Sequence, residues 1–171
     1  MTERLWAPWR LAYVANAKKQ TGCIFCDKPS DEDQRSVYVL YQGHDAFVML
    51  NAFPYSNGHL MVAPRIHTAD LNDLSSECMT EIMKLVRLCV NVLKEAYHPD
   101  GFNIGVNLGA SAGAGIADHV HFHIVPRWNG DTNFMPVLSD VRVIPQGLCE
   151  TYDQLRKILD QFESEGRLND V

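Results

Sequence analysis

Short runs of apolar, β-branched and aromatic residues predict five β-strands. Three of them follow one another in the first half of the chain, at residues 36–41, 46–50 and 59–62. Turn-forming residues at 43–45 and 51–58 separate these three, which indicates an antiparallel meander. Two further strands are predicted at 102–106 and 119–125. The charged, turn-rich interval 27–35 before the first strand is expected to be a surface loop.

A long amphipathic helix is predicted between the two groups of strands. From Met79 to Tyr97, apolar residues recur with the i, i+3, i+4, i+7 spacing of one helical face. Ser75 can cap its first turn, and the Pro-Asp-Gly sequence at 99–101 ends it. Residues 151–162 show a similar pattern. Strands grouped around one long helix, with a second helix near the C-terminus, indicate an α+β fold with a mainly antiparallel five-stranded sheet.

Composition limits the possible classes of protein. A chain of 171 residues, 46% of them hydrophobic, can bury one full core, so a single domain over 1–171 is expected. Net charge is −6 and the Lys and Arg residues are scattered, so a nucleic acid is not an expected partner. No apolar run is long enough for a signal peptide or a membrane span. We therefore expect a cytoplasmic protein without a membrane partner.

Three histidines alternate with apolar residues in the run His119-Val120-His121-Phe122-His123. In a strand, alternate side chains share a face, so the three imidazoles are expected on one face and the apolar residues on the other. Imidazole titrates near neutral pH and serves either as a metal ligand or as a nucleophile toward phosphorus. The run alone favours neither role over the other.

The segment before this run is rich in glycine, with Gly109, Gly113 and Gly115 among small residues. Glycine lets backbone N–H groups approach phosphate oxygens closely. A glycine-rich loop leading into a run of histidines therefore indicates a phosphate-handling site, although such a linker is often only a loop. Gly113 and Gly115 are the candidate phosphate-binding positions.

A cysteine pair, Cys23 and Cys26, has the Cys-x-x-Cys spacing that lets two thiolates share one metal ion. The chain has five cysteines, an odd number, which in a reducing compartment favours metal or redox chemistry over a disulfide framework. Redox catalysis is less favoured, since no βαβ pattern surrounds the pair. Zinc needs two more ligands, which the spacing does not identify.

Several ordered motifs resemble the histidine triad superfamily, whose signature is three histidines alternating with hydrophobic residues, followed by two more hydrophobic residues. The similarity covers about residues 21–130, and residues 5–10 and 128–137 resemble a longer bacterial branch that includes diadenosine tetraphosphate phosphorylases. The shared motifs are Cys23-Ile24-Phe25-Cys26, Asn51 with Pro54, Gly58-His59, Pro64-Arg65-Ile66-His67, Asn107-Leu108-Gly109, His119–Val125 and Pro126-Arg127. On this basis the domain is divided into a core at 21–130, a Trp-rich arm at 1–20 and an extension at 131–171.

The resemblance implies a homodimer that binds purine nucleotides or dinucleoside polyphosphates and cleaves them at the α-phosphate. His121 would be the nucleophile, His123 would contact the α-phosphate, and His59 would lie close to both. Asn51 would bind the ribose hydroxyls, and Asn107 would lie on the phosphate side of the pocket. With inorganic phosphate as acceptor the enzyme is a phosphorylase; with water it is a hydrolase.

The resemblance also implies that His67 and His119 complete a structural zinc site with Cys23 and Cys26. No catalytic metal is then required. Other interpretations are a hydrolase or phosphoramidase of the same family, a hydrolase whose three strand histidines bind one catalytic zinc, and a nucleotide-binding sensor or scaffold without turnover.

Overall fold

The computed structural model describes residues 22–131 and 144–168. The predicted arm at 1–20 and parts of the predicted extension lie outside these residues. The described strands are β1 (Val39–Gln42), β2 (Ala46–Leu50), β3 (Leu60–Pro64), β4 (Gly101–Val106) and β5 (Phe122–Arg127). The helices are α1 (Ile24–Asp27), α2 (Ser76–Tyr97) and α3 (Leu148–Ser164), and 3-10 turns lie at Lys28–Ser30, Leu71–Asp73 and Ala110–Ala112.

The five strands form one sheet in the order β1-β2-β3-β5-β4. Every pair of neighbouring strands is antiparallel. The predicted α+β class and the antiparallel five-stranded sheet are therefore confirmed, as is the meander of the first three strands. β5 inserts between β3 and β4, so the strand that carries the end of the histidine run lies inside the sheet and not at an edge.

The two long helices supply the core on one side of the sheet. Ile82 and Leu93 of α2 and Leu155 of α3 are fully buried, in one cluster with strand residues such as Val62 and Ile124. A smaller cluster, formed around Phe25, Phe47, Met49 and Met61, is separate from it. Because side chains alternate along a strand, the sheet separates a helix-covered face from a second face on which the histidines gather. Among the described residues, no helix is long and apolar enough to cross a membrane.

The long helix begins as its capping residue predicts. The Ser75 hydroxyl accepts a hydrogen bond from the backbone N–H of Cys78 at 3.1 Å, so α2 starts at Ser76, three residues before the apolar pattern indicated. It ends at Tyr97, and His98 follows with a left-handed φ of 46°. The predicted C-terminal helix is likewise longer than its apolar pattern, from Leu148 to Ser164.

The first strand and the segment before it differ from the prediction. β1 starts at Val39 because a turn occupies the preceding residues: the Ser36 N–H donates to the Asp33 carboxylate at 3.1 Å, and Tyr38 has a φ of 63°. The interval 27–35 is not a simple surface loop, since it contains the end of α1 and a 3-10 turn whose Pro29 is buried. Local side-chain hydrogen bonds and one buried proline thus override a charged composition.

Candidate active site

Four buried histidines gather beside the sheet, and none of them exposes more than 9% of its surface. His59 precedes β3, whereas His119, His121 and His123 lie just before and within β5. The register places Met61 opposite His123, which brings the start of β3 beside the histidine run. Buried imidazoles must each be hydrogen-bonded or metal-bound, so their partners define what the site can do.

The sequence predicts a strand at 119–125, but the observed strand β5 does not include the beginning of the histidine run. β5 starts at Phe122, because the Val120 N–H donates to the Thr68 carbonyl at 2.7 Å and not to a sheet neighbour. The predicted alternation of faces nevertheless holds. Val120 and Phe122 belong to the cluster that packs beneath the helices, and the ring of His121 contacts that of His123 at 4.8 Å between centroids.

The partner of His121 determines which of its nitrogens is free. Its Nδ1 lies 2.8 Å from the backbone carbonyl oxygen of His119. Since a carbonyl oxygen only accepts, Nδ1 carries the proton, and the lone pair of the neutral ring is on Nε2. Burial lowers the pKa of His121, although the bond to the His119 carbonyl opposes this. His121 therefore has a neutral, unprotonated Nε2 that is suited to nucleophilic attack.

His59 and His123 form a second hydrogen-bonded unit with a defined direction. The backbone N–H of Tyr55 donates to His59 Nδ1 at 3.1 Å, so the proton of the neutral His59 ring lies on Nε2. That Nε2–H donates to His123 Nδ1 at 3.0 Å. His123 must then carry its own proton on Nε2, where it can donate to a phosphate oxygen. The backbone of one loop thus fixes the tautomers of two imidazoles.

Burial keeps this pair of histidines neutral. It lowers the pKa of His59 to about 3 and that of His123 to about 4, and the neighbouring imidazoles reinforce both shifts. A neutral His123 can donate one hydrogen bond without the desolvation cost of a buried imidazolium. The arrangement suits a phosphate that already carries its own negative charge.

The tautomers are open to direct measurement. In long-range ¹H–¹⁵N spectra, we expect His59 and His123 as Nε2–H tautomers and His121 as the Nδ1–H tautomer, because their partners allow no other arrangement. The His59 and His123 signals should not titrate between pH 5 and pH 8, since burial depresses the pKa of both imidazoles. An Nδ1–H tautomer at His123 would contradict the proposed direction of donation.

Cys23, Cys26, His67 and His119 place one ligand atom each within 4.8 Å of one another. The His119 Nδ1 is 3.3 Å from Cys23 Sγ, 3.6 Å from Cys26 Sγ and 3.3 Å from His67 Nδ1. A zinc tetrahedron with Zn–N near 2.05 Å and Zn–S near 2.3 Å has N···N edges of about 3.3 Å and N···S edges of about 3.6 Å. The donor set and its spacing therefore fit zinc.

His119 is oriented for this role by its other nitrogen. Its Nε2–H donates to the carbonyl oxygen of Pro64 at 2.9 Å, which leaves the Nδ1 lone pair facing the cysteines. Among the described residues, the groups that could hold a metal include this one and a partly exposed group of His44, Asp45 and Glu81, but not the three triad imidazoles together. This geometry disfavours a single catalytic zinc held by the whole histidine run.

Comparisons with known proteins agree with this geometry. The family model of the HIT domain matches residues 32–130. The chain belongs to the HIT family. It is 38% identical over 157 residues to a protein of Mycobacterium tuberculosis named AP-4-A phosphorylase, an alignment that covers 87% of this chain and 80% of the relative.

Solved HIT structures share the fold. A histidine triad family protein from Mycobacterium smegmatis, described as zinc-bound, aligns with 28% identity and a TM-score of 0.61, over 90% of this chain and 96% of its own. A protein from Sulfolobus tokodaii, described as a hypothetical histidine triad nucleotide-binding protein, aligns with 27% identity and a TM-score of 0.65, over 82% of this chain and 94% of its own. The predicted family is thus confirmed.

The remaining predicted residues of this HIT domain lie just after β2, just after β4 and in the loop that precedes the histidine run. Asn51 follows β2, and its side-chain amide nitrogen lies 3.4 Å from His59 Nδ1. Asn107 is half-buried directly after β4, whose last residue pairs with Phe122 next to His121. Gly113 has a left-handed φ of 88°, and its N–H donates to the Ala110 carbonyl at 3.0 Å within a 3-10 turn. Gly115 lies exposed in the same loop.

Two aromatic residues of the site were not predicted from the sequence. Phe25, between the two cysteines, is buried and packs against His119 and His121, with ring centroids 5.1 and 4.7 Å away. Tyr55 packs against His59 and His123. Phe25 lies within a predicted motif and Tyr55 directly after one, but only the tertiary structure brings their rings onto the imidazoles.

Proposed function

We propose that this protein transfers the nucleoside monophosphate group of a nucleotide through a covalent bond to His121, and that it is a phosphorylase of diadenosine tetraphosphate. The observation that carries the proposal is the hydrogen bond from His121 Nδ1 to the His119 carbonyl, which leaves Nε2 as a free nucleophile. The name of the M. tuberculosis relative supports the choice of substrate.

In the first step, His121 Nε2 attacks the α-phosphorus and a P–N bond forms. The bond from that phosphorus to the bridging oxygen breaks, and ATP leaves with the electron pair. In the second step, an oxygen of inorganic phosphate attacks the same phosphorus, the P–N bond breaks, and ADP is released. Two displacements replace one difficult transfer, and most of the acceleration comes from positioning and electrostatics.

We assign the roles of the other residues from the hydrogen bonds that they can form with the nucleotide. The Nε2–H of His123 binds an α-phosphate oxygen, and His59 holds His123 in the tautomer that allows this. Asn51 binds the ribose hydroxyls and Asn107 lies on the phosphate side. Backbone N–H groups of the loop that contains Gly113 and Gly115 complete the phosphate site; the N–H of Gly113 already donates within its turn, so Gly115 has the larger part.

A structural zinc bound by Cys23, Cys26, His67 and His119 is part of the proposal. When bound, it would link the N-terminal segment to the end of β3 and to the histidine run. Side chains would fill all four of its positions, so the zinc would not contact the nucleotide or take a direct part in the reaction.

We further propose that the protein is a homodimer that associates through β4. This strand forms one edge of the sheet, and Asn103, Ile104 and Gly105 within it are exposed. An exposed edge strand presents backbone groups that a second copy can pair with. Sedimentation of the purified protein as a monomer would contradict this assignment.

Product analysis tests the proposed reaction. The protein is incubated with diadenosine tetraphosphate, with and without inorganic phosphate, and nucleotides are separated by anion-exchange chromatography. We expect ADP plus ATP that depends on phosphate. AMP plus ATP without phosphate would indicate a hydrolase that uses the same nucleophile, and tight binding without any product would indicate a sensor; either result would refute the phosphorylase assignment.

A further inference from the structure

Tyr55 extends the surface of the histidine site outward. It lies in the loop between β2 and β3, and its ring centroid is 4.6 Å from that of His59 and 5.7 Å from that of His123. Its plane is only 28° from the plane of His123, which describes an offset stack. The residue nevertheless remains 46% exposed. A tyrosine that only filled a core would be covered, whereas part of this side chain remains accessible to solvent.

Two hydrogen bonds anchor the backbone of the loop that carries Tyr55. The Asn51 side-chain oxygen accepts a hydrogen bond from the Phe53 N–H at 2.9 Å, and the Tyr55 N–H donates to His59 at 3.1 Å. Both anchors involve residues of the proposed nucleotide site. The backbone at Tyr55 is therefore tied to the proposed nucleotide site, and this favours a defined position of the ring beside His123 before substrate binds.

Tyr55 stands at one end of a row of rings that contains the nucleophile. Successive ring centroids along the row are 4.7 Å apart for Phe25 and His121, 4.8 Å for His121 and His123, and 5.7 Å for His123 and Tyr55. In-line displacement places the leaving oxygen on the side of the phosphorus opposite the attacking nitrogen. If His123 holds the α-phosphate, the leaving group would depart from His121 toward the Tyr55 end of the row.

We propose that Tyr55 determines specificity by stacking on the base of the leaving nucleotide, so that the site selects dinucleoside polyphosphates. The base would stack on the same face of the tyrosine ring as the His123 imidazole. It would lie beside that imidazole and cover the part of the ring that the imidazole leaves exposed. Stacking of a base on an aromatic side chain contributes on the order of tenfold in affinity. This inference rests on the proposed function and names the second half of its substrate.

The test compares two substrates that differ only beyond the phosphate chain. Adenosine 5′-tetraphosphate has the same α-phosphate and chain length as diadenosine tetraphosphate but lacks the second nucleoside. The readout is the ratio of kcat/KM for the two substrates, because effects on the common chemistry cancel in it. We expect Tyr55→Leu, which keeps an apolar side chain against the imidazoles but removes the ring, to lower the preference for the dinucleotide about tenfold.

Two further variants sharpen the result. Tyr55→Phe keeps the ring and should keep most of the preference. Met83→Ala removes a comparably exposed apolar side chain (49% exposed) from α2, across the sheet, and should leave the ratio unchanged. An unchanged ratio in Tyr55→Leu would overturn the assignment of Tyr55. Absence of any AMP–protein adduct from either substrate in the wild type would instead refute the proposed function, so the two failures are distinguishable.

Discussion

Replacing His121 with glycine should lower kcat/KM for diadenosine tetraphosphate by at least about 10⁴-fold, because loss of a covalent nucleophile leaves only binding and electrostatic stabilisation. The AMP–protein adduct should disappear at the same time. Rapid quenching followed by mass spectrometry measures the adduct, and steady-state product release measures the rate. An adduct that persists at full yield in this variant would place the nucleophile on another residue.

Chemical rescue adds a readout that general damage to the fold would not give. His121→Gly leaves a space the size of an imidazole among the rings of Phe25 and His123. Free imidazole should therefore restore part of the turnover, since it can attack phosphorus from the same position.

A matched control is His98→Gly, which makes the same change at an exposed histidine outside the site. His98 has a φ of 46°, where glycine is well tolerated, so this variant should retain wild-type activity. Rescue of the His121 variant by imidazole, with no effect of imidazole on the control, would separate the chemical role from a structural one.

The sequence predicted the elements whose signal is local. Ser75 caps α2 because a single hydroxyl reaches the N–H three residues later, and that information lies within four residues of the chain. For the opposite reason, β1 and β5 begin three residues later than the apolar pattern predicts. Tyr38 adopts a left-handed φ, and Val120 bonds to Thr68, which is far away in the sequence. The alternation of apolar residues in the sequence indicates neither of these two features.

In the candidate site, too, local sequence signals were informative and long-range contacts were not. Residue type and spacing suggested the histidines and the cysteine pair, but they left open which nitrogen of each imidazole is free. That choice depends on partners such as the Pro64 carbonyl for His119 and the Tyr55 N–H for His59. Phe25 is separated from His121 by 96 positions, so its contact could be found only in the folded structure.

Loss of the proposed zinc should destabilise the whole domain. We expect Cys26→Ser to lower the free energy of unfolding by at least about 3 kcal/mol, because binding of a structural metal contributes directly to folding. For a chain of this length, that change lowers Tm by roughly 10 °C. Elemental analysis should give one zinc per chain in the wild type and none in the variant, and thermal unfolding measures the stability. Cys149→Ser, at an exposed cysteine outside the cluster, is the matched control and should change neither quantity.

Cys26→Ser should also lower kcat, because it disturbs the packing of Phe25 on the nucleophile His121. Cys23 and Cys26 flank Phe25, which is only 1% exposed and packs on His121. Freeing the short helix α1 from the metal would loosen this contact, so kcat should fall together with zinc content. Replacement of zinc by cobalt should preserve turnover, since a metal with four side-chain ligands has no open position for water or substrate. A cobalt protein with an altered pH–rate profile would instead indicate that the metal contacts the reacting groups, and would refute its structural assignment.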